Sequence, residues 1–363
     1  MPDVPGSPGA GTSRSTSATI QPNILRYLVL VAEDRGVDLR PALEQVGLDE
    51  VVMRSADLRV SYRQGSAVIR RALELTGEEH LGMSVGTAQH LTAWGLLGFA
   101  VMASDTLADA IETGVRYQNL TGAMVVWSCG PEDGAFVLRA QLPDPALDPA
   151  VGMFLIEEAL TSVITVGRLA VGPSLAPPRL VELALPQPVG ANPYPGFFGC
   201  PVRFERPVSR VILDERSART PMPGRDPVTL ASSLELLEAL MASRRDQQEL
   251  LEVLEVSVAQ RLPDVLSFAE QAHRLALSER TLRRRLAECG TTYHALVEGV
   301  RRERVEQLLR RSELTAREIA RRAGFSDERA LRRAVRRWHG SSPQELRRAM
   351  GDSGTSASNT AGR

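Results

Sequence analysis

The sequence predicts an α+β domain followed by an all-α domain that contains two helix-turn-helix units joined by a linker helix. Three observations support this prediction. Helical and strand-like periodicities alternate between residues 23 and 220, whereas no strand pattern follows Leu262. The basic residues concentrate beyond residue 260, and within that basic region a twelve-residue pattern occurs twice.

The chain of 363 residues is 43% hydrophobic and 24% charged, long enough for two domains with separate cores. Its net charge of −1 would by itself argue against a polyanionic partner. The charge is unevenly distributed, however. Residues 1–260 contain 21 Arg and 31 acidic residues, and residues 261–350 contain 21 Arg and 12 acidic residues. Every basic residue is Arg, whose planar guanidinium suits phosphates and guanine edges.

The termini and the cysteines indicate the class of protein. Residues 1–20 and 350–363 are rich in small and polar residues and read as disordered tails, without the apolar segment of a signal peptide. No run of 18 apolar residues predicts a membrane span, so we expect no membrane partner. Three cysteines, Cys129, Cys200 and Cys289, fit neither a disulfide framework nor a metal pair. A cytoplasmic protein is therefore expected.

The first domain is predicted over residues 21–220. Apolar residues three and four apart indicate helices up to about residue 120, one opened by a Ser61/Gln64 capping box and the last opened by Asp105. Two strands joined by PEDG then form a hairpin, and a long apolar helix begins at Pro149. Three more strands with an intervening Pro-rich loop follow, in RLVELAL, PVRFE and VSRVILD. Helices and strands in this order are typical of an α+β fold.

Residues 221–246 form a predicted linker with a helix. The stretch PMPGRDPVTLAS is rich in Pro, Gly and Ser, and leucines at helical spacing follow it. The second domain is predicted over residues 247–349.

The second domain contains an internal repeat. SFAEQAHRLALS, from Ser267, aligns without gaps with TAREIARRAGFS, from Thr315. Each copy begins with a capping box, has a small Ala one turn later, and continues through a three-residue turn to a second Ser that can cap the next helix. A short capped helix, a tight turn and a second helix with apolar residues four apart describe a helix-turn-helix. The amphipathic stretch between the copies predicts a helix that would hold the two recognition helices about 34 Å apart, one turn of DNA.

Residues 263–348 resemble the DNA-binding domain of the AraC/XylS family of bacterial transcription regulators, most specifically in the ending GFSDxxxLxRxxRRWxGxSPxExR. The stretches FFGCPVRFERPVSRVILDE and RTPMPGRDP resemble the arabinose-binding-like effector domain of the branch that includes ornithine-utilisation and mycobacterial virulence-type regulators. The two resemblances imply a sequence-specific transcription factor that responds to a small-molecule effector and is not an enzyme.

The resemblance also implies which residues touch DNA. The base-edge candidates are Arg280, Arg283, Arg284, Arg329, Arg332 and Arg333. Helical spacing agrees, since Arg280, Arg283 and Arg284 lie opposite the apolar Leu282 and Leu286. The phosphate candidates are Ser278, Arg285, Ser326, Arg336 and Arg337. The alternative is an Arg-rich face that is simply solvated.

The first copy departs from the second at two positions. Gln271 stands where the second copy has Ile319, and Ala276 stands where the second copy has Gly324, the residue best suited to a left-handed turn. We expect the first unit to be the less stable.

Aromatic residues of the first domain are the candidates for an effector pocket. The main ones are Trp94, Phe99, Tyr117, Phe154 and Phe197. They equally represent the ordinary aromatic content of a core. No cofactor is expected, since no P-loop, GxGxxG, HExxH or GxSxG motif occurs and the five histidines lack ligand spacing.

The expected partners are double-stranded promoter DNA, an unknown effector, RNA polymerase and a second copy of the chain. Two alternatives remain open at this point: a nonspecific architectural DNA-binding protein, and an enzyme in the first domain with DNA binding as its regulation.

Overall fold

A computed structural model describes residues 20–49, 53, 55, 58–188, 192–311 and 314–348. The predicted tails lie outside these residues apart from Ile20. The chain forms two compact units that meet between Met241 and Ala242.

In the described part of the first unit, six α-helices precede the sheet. They are α1 (Asn23–Glu33), α2 (Arg40–Gln45), α3 (Tyr62–Thr76), α4 (Leu81–Ala88), α5 (Leu96–Ala103) and α6 (Leu107–Arg116). The predicted capping box opens α3: the Gln64 N–H donates to Ser61 Oγ, and the Ser61 N–H donates to Gln64 Oε1. At α6 the prediction of Asp105 as the opening residue is wrong. Thr106 is the N-cap and forms a capping box with Asp109, because the reciprocal bonds need a residue three positions on.

A five-stranded sheet follows, with strands in the order β1-β2-β5-β3-β4. The strands are β1 (Val126–Glu132), β2 (Ala135–Gln141), β3 (Leu180–Glu182), β4 (Val202–Arg203) and β5 (Ser209–Asp214). The predicted hairpin is confirmed by antiparallel pairing of β1 with β2, and only β3 and β4 pair in parallel. Side chains alternate along β2, so Phe136 and Ala140 face the main core while Ala135 and Val137 face the opposite side of the sheet.

Helix α7 (Pro149–Val171) is the central helix of the first unit. The stretch Pro149–Ser174 is long and apolar enough to cross a membrane, but 72% of its apolar 18-residue window is buried inside the unit, as in the core helix of a globular domain. Gly82 and Gly86 of α4 let the two helices approach closely. A Cβ at Gly82 would lie 2.3 Å from the Phe154 carbonyl oxygen, and one at Gly86 would lie 2.6 Å from the Glu158 carbonyl oxygen.

Two short helices were absent from the sequence prediction. Tyr194–Phe198 (α8) lies where a Pro-rich loop was expected, because Pro195 falls in the first turn, where a helix loses no hydrogen bond to proline. Glu215–Ala218 (α9) forms a single turn directly after β5.

Helix α10 (Pro227–Arg261) contains 35 residues and begins within the segment predicted as a linker. Leu237 belongs to the core of the first unit, and Leu254 and Val258 belong to a core of the second unit. The second unit is otherwise helical. Its helices are α11 (Phe268–Arg274), α12 (Glu279–Glu288), α13 (Tyr293–Arg311), α14 (Ala316–Arg322) and α15 (Glu328–His339), followed by a helical segment at 343–348.

Candidate nucleic-acid interface and effector cavity

The two copies of the repeat both fold as a short helix, a turn and a longer helix. Their predicted capping boxes are present: Ser267 with Glu270 opens α11, and Thr315 with Glu318 opens α14. The Ser267 hydroxyl and N–H hold the pKa of Glu270 below its usual range, and the Thr315 N–H and hydroxyl do the same for Glu318. Both short helices therefore begin with their first N–H donors satisfied.

In both helix-turn-helix motifs, the turn between the two helices needs a residue with a left-handed backbone conformation. Ala276 has φ of 53° and Gly324 has φ of 77°. At Gly324 there is also no room for a side chain, since a Cβ would lie 2.9 Å from the Pro263 carbonyl oxygen. Glycine is therefore required in the second helix-turn-helix, whereas the first helix-turn-helix accepts the strain of an alanine.

Helix α13 contributes to the cores of both helix-turn-helix motifs. Its Leu296 packs with Leu282 and Leu286 of the first motif, and its Val305 and Leu309 pack with the second motif. The second core is completed by apolar side chains of α14 and α15, namely Ile319, Ala320, Leu331 and Val335. The shared helix fixes α12 and α15 within one folded unit.

The predicted arginines of α12 and α15 all lie on the solvent side of their helices. They are Arg280, Arg283, Arg284 and Arg285 on α12, and Arg329, Arg332, Arg333, Arg336 and Arg337 on α15. Leu282 and Leu331 are fully buried on the opposite faces. Each recognition helix therefore presents guanidinium groups outward from an apolar anchor, the arrangement that direct readout of a major groove requires.

Three of the base-edge candidates form ion pairs along their own helix. Arg284 bonds Glu288 at 2.7 Å, Arg283 lies 3.8 Å from Glu279, and Arg332 pairs with Glu328. Exposed pairs of this kind contribute little and exchange readily for a stronger anionic partner. In the part of the chain that the structure describes, no ion pair involves Arg280, Arg285, Arg329, Arg333 or Arg336.

The phosphate candidates on α15 differ in their surroundings. Arg336 lies one turn beyond Arg332 and Arg333 on the same exposed face. Arg337 instead pairs with Glu298 of α13, whose carboxylate also accepts a hydrogen bond from Trp338 Nε1 at 3.3 Å. Arg337 therefore helps to attach α15 to α13.

The two serines predicted as helix caps have different outcomes. Ser278 is the N-cap of α12 and accepts from the Thr281 N–H at 3.1 Å. Ser326 is not a cap, because the following residue, Asp327, accepts from the Ala330 N–H at 2.7 Å. An ionised carboxylate satisfies the N-terminal donors better than a hydroxyl.

The first unit contains a cavity of about 240 Å³ between α5, α6, α7 and the sheet. Apolar side chains dominate its wall, among them Leu97, Val101, Ile111, Leu138 and Val211. The polar side chains on the wall include Gln89, Gln118, Glu158, Ser162 and Arg168. An apolar enclosure with a few polar groups is typical of a small-molecule site.

Of the five aromatic residues predicted for an effector pocket, Trp94 is on the wall of this cavity and the other four are outside its lining. Phe99 is 57% exposed, and Phe154 is buried in the main core. The Tyr117 hydroxyl donates to Glu238 at 2.7 Å, and Phe197 packs under the guanidinium of Arg168. Tyr117 and Phe154 belong to the main core, and Phe197 packs against it.

Sequence reasoning missed the acidic residue on the wall. Glu158 is buried, and its carboxyl accepts a hydrogen bond from Gln89 Nε2. Burial raises the pKa of Glu158 to about 8. The signal was present in FLIEEALTSV, where two consecutive acids interrupt the most apolar stretch of the long helix.

Comparison with known families assigns both units. Residues 36–222 match the model of the arabinose-binding domain of AraC transcription regulators, and residues 271–349 match a helix-turn-helix domain model. The first match alone spans more than half of the chain. The chain belongs to the AraC family of transcription regulators.

Relatives of this AraC-family chain are similar over most of their length. An ornithine utilization regulator of Pseudomonas aeruginosa is 31% identical over 89% of this chain and 94% of its own length. An HTH-type transcriptional regulator of Mycobacterium tuberculosis is 28% identical with the same coverage. The crystal structure of the transcriptional regulator CdpR from Pseudomonas aeruginosa covers 90% of this chain and 98% of its own, at 22% identity and a TM-score of 0.46, too low to carry a conclusion.

The protein is therefore an AraC-type helix-turn-helix transcriptional regulator, and regulators of this kind bind DNA. The predicted family, the α+β and all-α fold classes and the function of transcription regulation are confirmed.

Proposed function

We propose that this AraC-family protein is a cytoplasmic, non-enzymatic transcription factor that recognises a specific operator through α12 and α15 and responds to a small effector bound in the first unit. The observation that carries the proposal is the pair of arginine-bearing recognition helices, each anchored by a buried leucine and held by the shared helix α13. Two different recognition helices in one chain favour an asymmetric DNA site that consists of two successive major-groove segments.

The base-edge contacts are assigned to Arg280, Arg283 and Arg284 on α12 and to Arg329, Arg332 and Arg333 on α15. Arginine bonds guanine O6 and N7 with two parallel donors, which a solvated lysine does less well. The phosphate contacts are assigned to Ser278, Arg285, Ser326, Arg336 and Arg337. Phosphate contacts hold the protein in register without reading sequence.

The effector is assigned to the cavity of the first unit. Its binding would change the population of conformations that fit the operator, with α10 as the covalent connection between the units. A homodimer, which would bind two half-sites, and a contact with RNA polymerase complete the proposal.

DNase footprinting on the promoter regions beside the gene tests the proposal. We expect protection of a defined site at physiological salt. Arg283→Ala and Arg332→Ala should each weaken binding to that site by about 1 to 3 kcal/mol, with little change on unrelated DNA. Arg216→Ala is the matched control, since it removes the same charge from an exposed position in the first unit.

A nonspecific architectural protein gives a different result. It would protect no defined site, and both arginine variants would weaken binding to all sequences equally. That outcome would contradict the proposal.

A further inference from the structure

We infer that the cavity of the first unit selects an apolar molecule that carries a single cationic group, an amine or an amidine, and that this cation pairs with the carboxylate of Glu158. The inference rests on the proposed effector role of the cavity and adds the chemical class of the ligand. It follows from the partners of the buried acids in the first unit.

Two of those buried acids have partners supplied by the protein. Glu182 is bonded by Arg210 Nε at 2.5 Å, with other arginines close by. Glu157 lies 2.7 Å from His80 Nδ1 and accepts a hydrogen bond from the Tyr194 hydroxyl at 2.6 Å. Buried carboxylates are costly unless they are paired or hydrogen-bonded, and here Glu182 is paired with arginine while Glu157 is bonded by a histidine and a hydroxyl.

Glu158 is the exception. Within the described part of the chain its recorded partner is the neutral amide of Gln89, and the cavity lies beside it. Among the described residues, the protein thus buries an acid at the cavity wall with no cationic side chain bonded to it. A positive group on a bound molecule would give Glu158 the ion pair that Glu182 forms with arginine inside the protein.

The rest of the cavity defines the body of that molecule. Wall residues on α7 run from Glu158 to Ala170, a length of about 18 Å along the helix, and the surfaces facing them are mainly apolar. The other ionisable side chain on the wall, Arg168, lies ten residues away and already donates to the Phe197 carbonyl oxygen at 2.6 Å. A cationic head group forms an ion pair with Glu158 when the carboxyl ionises, whereas an anionic head group favours the neutral carboxyl and an uncharged head group gains no ion pair.

Proton uptake and release follow from this arrangement. Burial raises the pKa of Glu158 to about 8, so the empty cavity holds a neutral carboxyl at pH 7. Among the neighbouring ionisable groups, His80 of α4 contacts Glu157, and Arg210 of the sheet contacts Glu182. An incoming ammonium favours the ionised carboxyl, so the carboxyl proton leaves to solvent as the ion pair forms. Affinity should then rise up to about tenfold per pH unit below pH 8 and level off above it.

The test uses the full-length chain and three probes on one skeleton: 4-phenylbutylamine, 4-phenylbutan-1-ol and 4-phenylbutanoate. Calorimetric titration at pH 6, 7 and 8, in two buffers of different ionisation enthalpy, gives both the dissociation constant and the number of protons released. We expect the amine to bind at least tenfold more tightly than the alcohol at pH 8. About one proton should be released at pH 7, and the melting temperature should rise with amine concentration.

Two variants locate the effect. Glu158→Gln keeps the shape of the side chain and removes its charge, so it should abolish the preference for the amine and the proton release while the alcohol still binds. Glu112→Gln is the matched control, because it makes the same change at an exposed position of α6 that is not part of the cavity wall. It should retain both the amine preference and the proton release.

The inference is overturned if the alcohol or the carboxylate binds wild-type protein as tightly as the amine, or if no amine binds. It is also overturned if the preference survives Glu158→Gln. The proton measurement on wild-type protein is independent of whether that variant folds. A defined footprint on promoter DNA from the same preparation separates this failure from a failure of the proposed function.

Discussion

The two helix-turn-helix units are built on the same plan but differ in their interiors. Both open with a capping box and both bury an alanine one turn later. Beside that alanine, the first unit buries the polar Gln271 and the second buries the apolar Ile319. At the turn, the first unit has a left-handed alanine and the second has a glycine. The plan fixes the positions, while the choice of residue at each position sets the stability.

The buried side chain of Gln271 connects the first helix-turn-helix to α10. The Ser257 hydroxyl donates to Gln271 Oε1 at 3.1 Å, while Gln271 Nε2 has no hydrogen-bond partner among the described residues. Leu254 and Val258 of α10 complete the same core. The second unit fills the matching position with a side chain that needs no partner. The first helix-turn-helix therefore depends on α10 as well as on α13, whereas the core of the second includes α13 and no residue of α10 among those described.

The largest expected effect comes from removing the glycine of the second unit. Gly324→Val places a β-branched residue at φ of 77° and a Cβ 2.9 Å from the Pro263 carbonyl oxygen. Backbone strain and the steric clash together should destabilise the second helix-turn-helix by about 3 kcal/mol or more. Calorimetric unfolding should show the loss, and specific DNA binding should disappear with it.

Gly340→Val is the control for that substitution. Gly340 has φ of 69°, but apart from its chain neighbours no atom of the described residues lies within 4 Å of the position of its Cβ, so the variant suffers only backbone strain. We expect a cost of about 1 to 2 kcal/mol. Equal melting temperatures for the two variants would show that the close approach to Pro263 is unimportant.

The sequence predicted the second unit well because its local signals are strong and repeated. Capping boxes bring both partners within four residues, and leucines four apart define the buried face of a helix without knowledge of the rest of the fold. The errors there were single positions, such as Ser326, where a neighbouring aspartate competes for the same N–H donors.

The cavity of the first unit could not be predicted in the same way. Its wall brings together residues from Asn23 to Met222, and no local pattern records which side chains of a core face a void. Phe154 and Trp94 are both aromatic and both apolar, yet one fills the core and the other lines the cavity. The acidic pair in the long helix was the one local sign, and only the structure shows that Glu157 has protein partners while Glu158 faces the cavity.

The two recognition helices also differ in charge, which gives a second test. Arg336 on α15 lies on the same face as Arg332 and Arg333, and the matching position on α12 is the exposed Ala287. Arg336→Ala should weaken DNA binding severalfold and lower the slope of log affinity against log salt by about 1. Ala287→Arg should raise that slope by a similar amount. Fluorescence anisotropy over a salt series measures both.

Arg337→Ala serves as the comparison for Arg336→Ala. Because Arg337 pairs with Glu298, its guanidinium is partly neutralised within the protein, and its removal should change the salt slope less. A slope that falls as much for Arg337→Ala as for Arg336→Ala would contradict this distinction.

The smallest expected effect is a gain in stability from Ala276→Gly. Ala276 is exposed and has φ of 53°, so replacement by glycine relieves a left-handed conformation and leaves no cavity. The first helix-turn-helix should become more stable by about 0.5 to 1 kcal/mol, measured by thermal or urea unfolding. Ala287→Gly, on the exposed face of α12, is the same change in a helix and should instead cost about 1 kcal/mol. If the free energy of unfolding rises for Ala276→Gly and falls for Ala287→Gly, the lower stability of the first helix-turn-helix comes from its turn. If both variants lose stability, Gln271 is the cause.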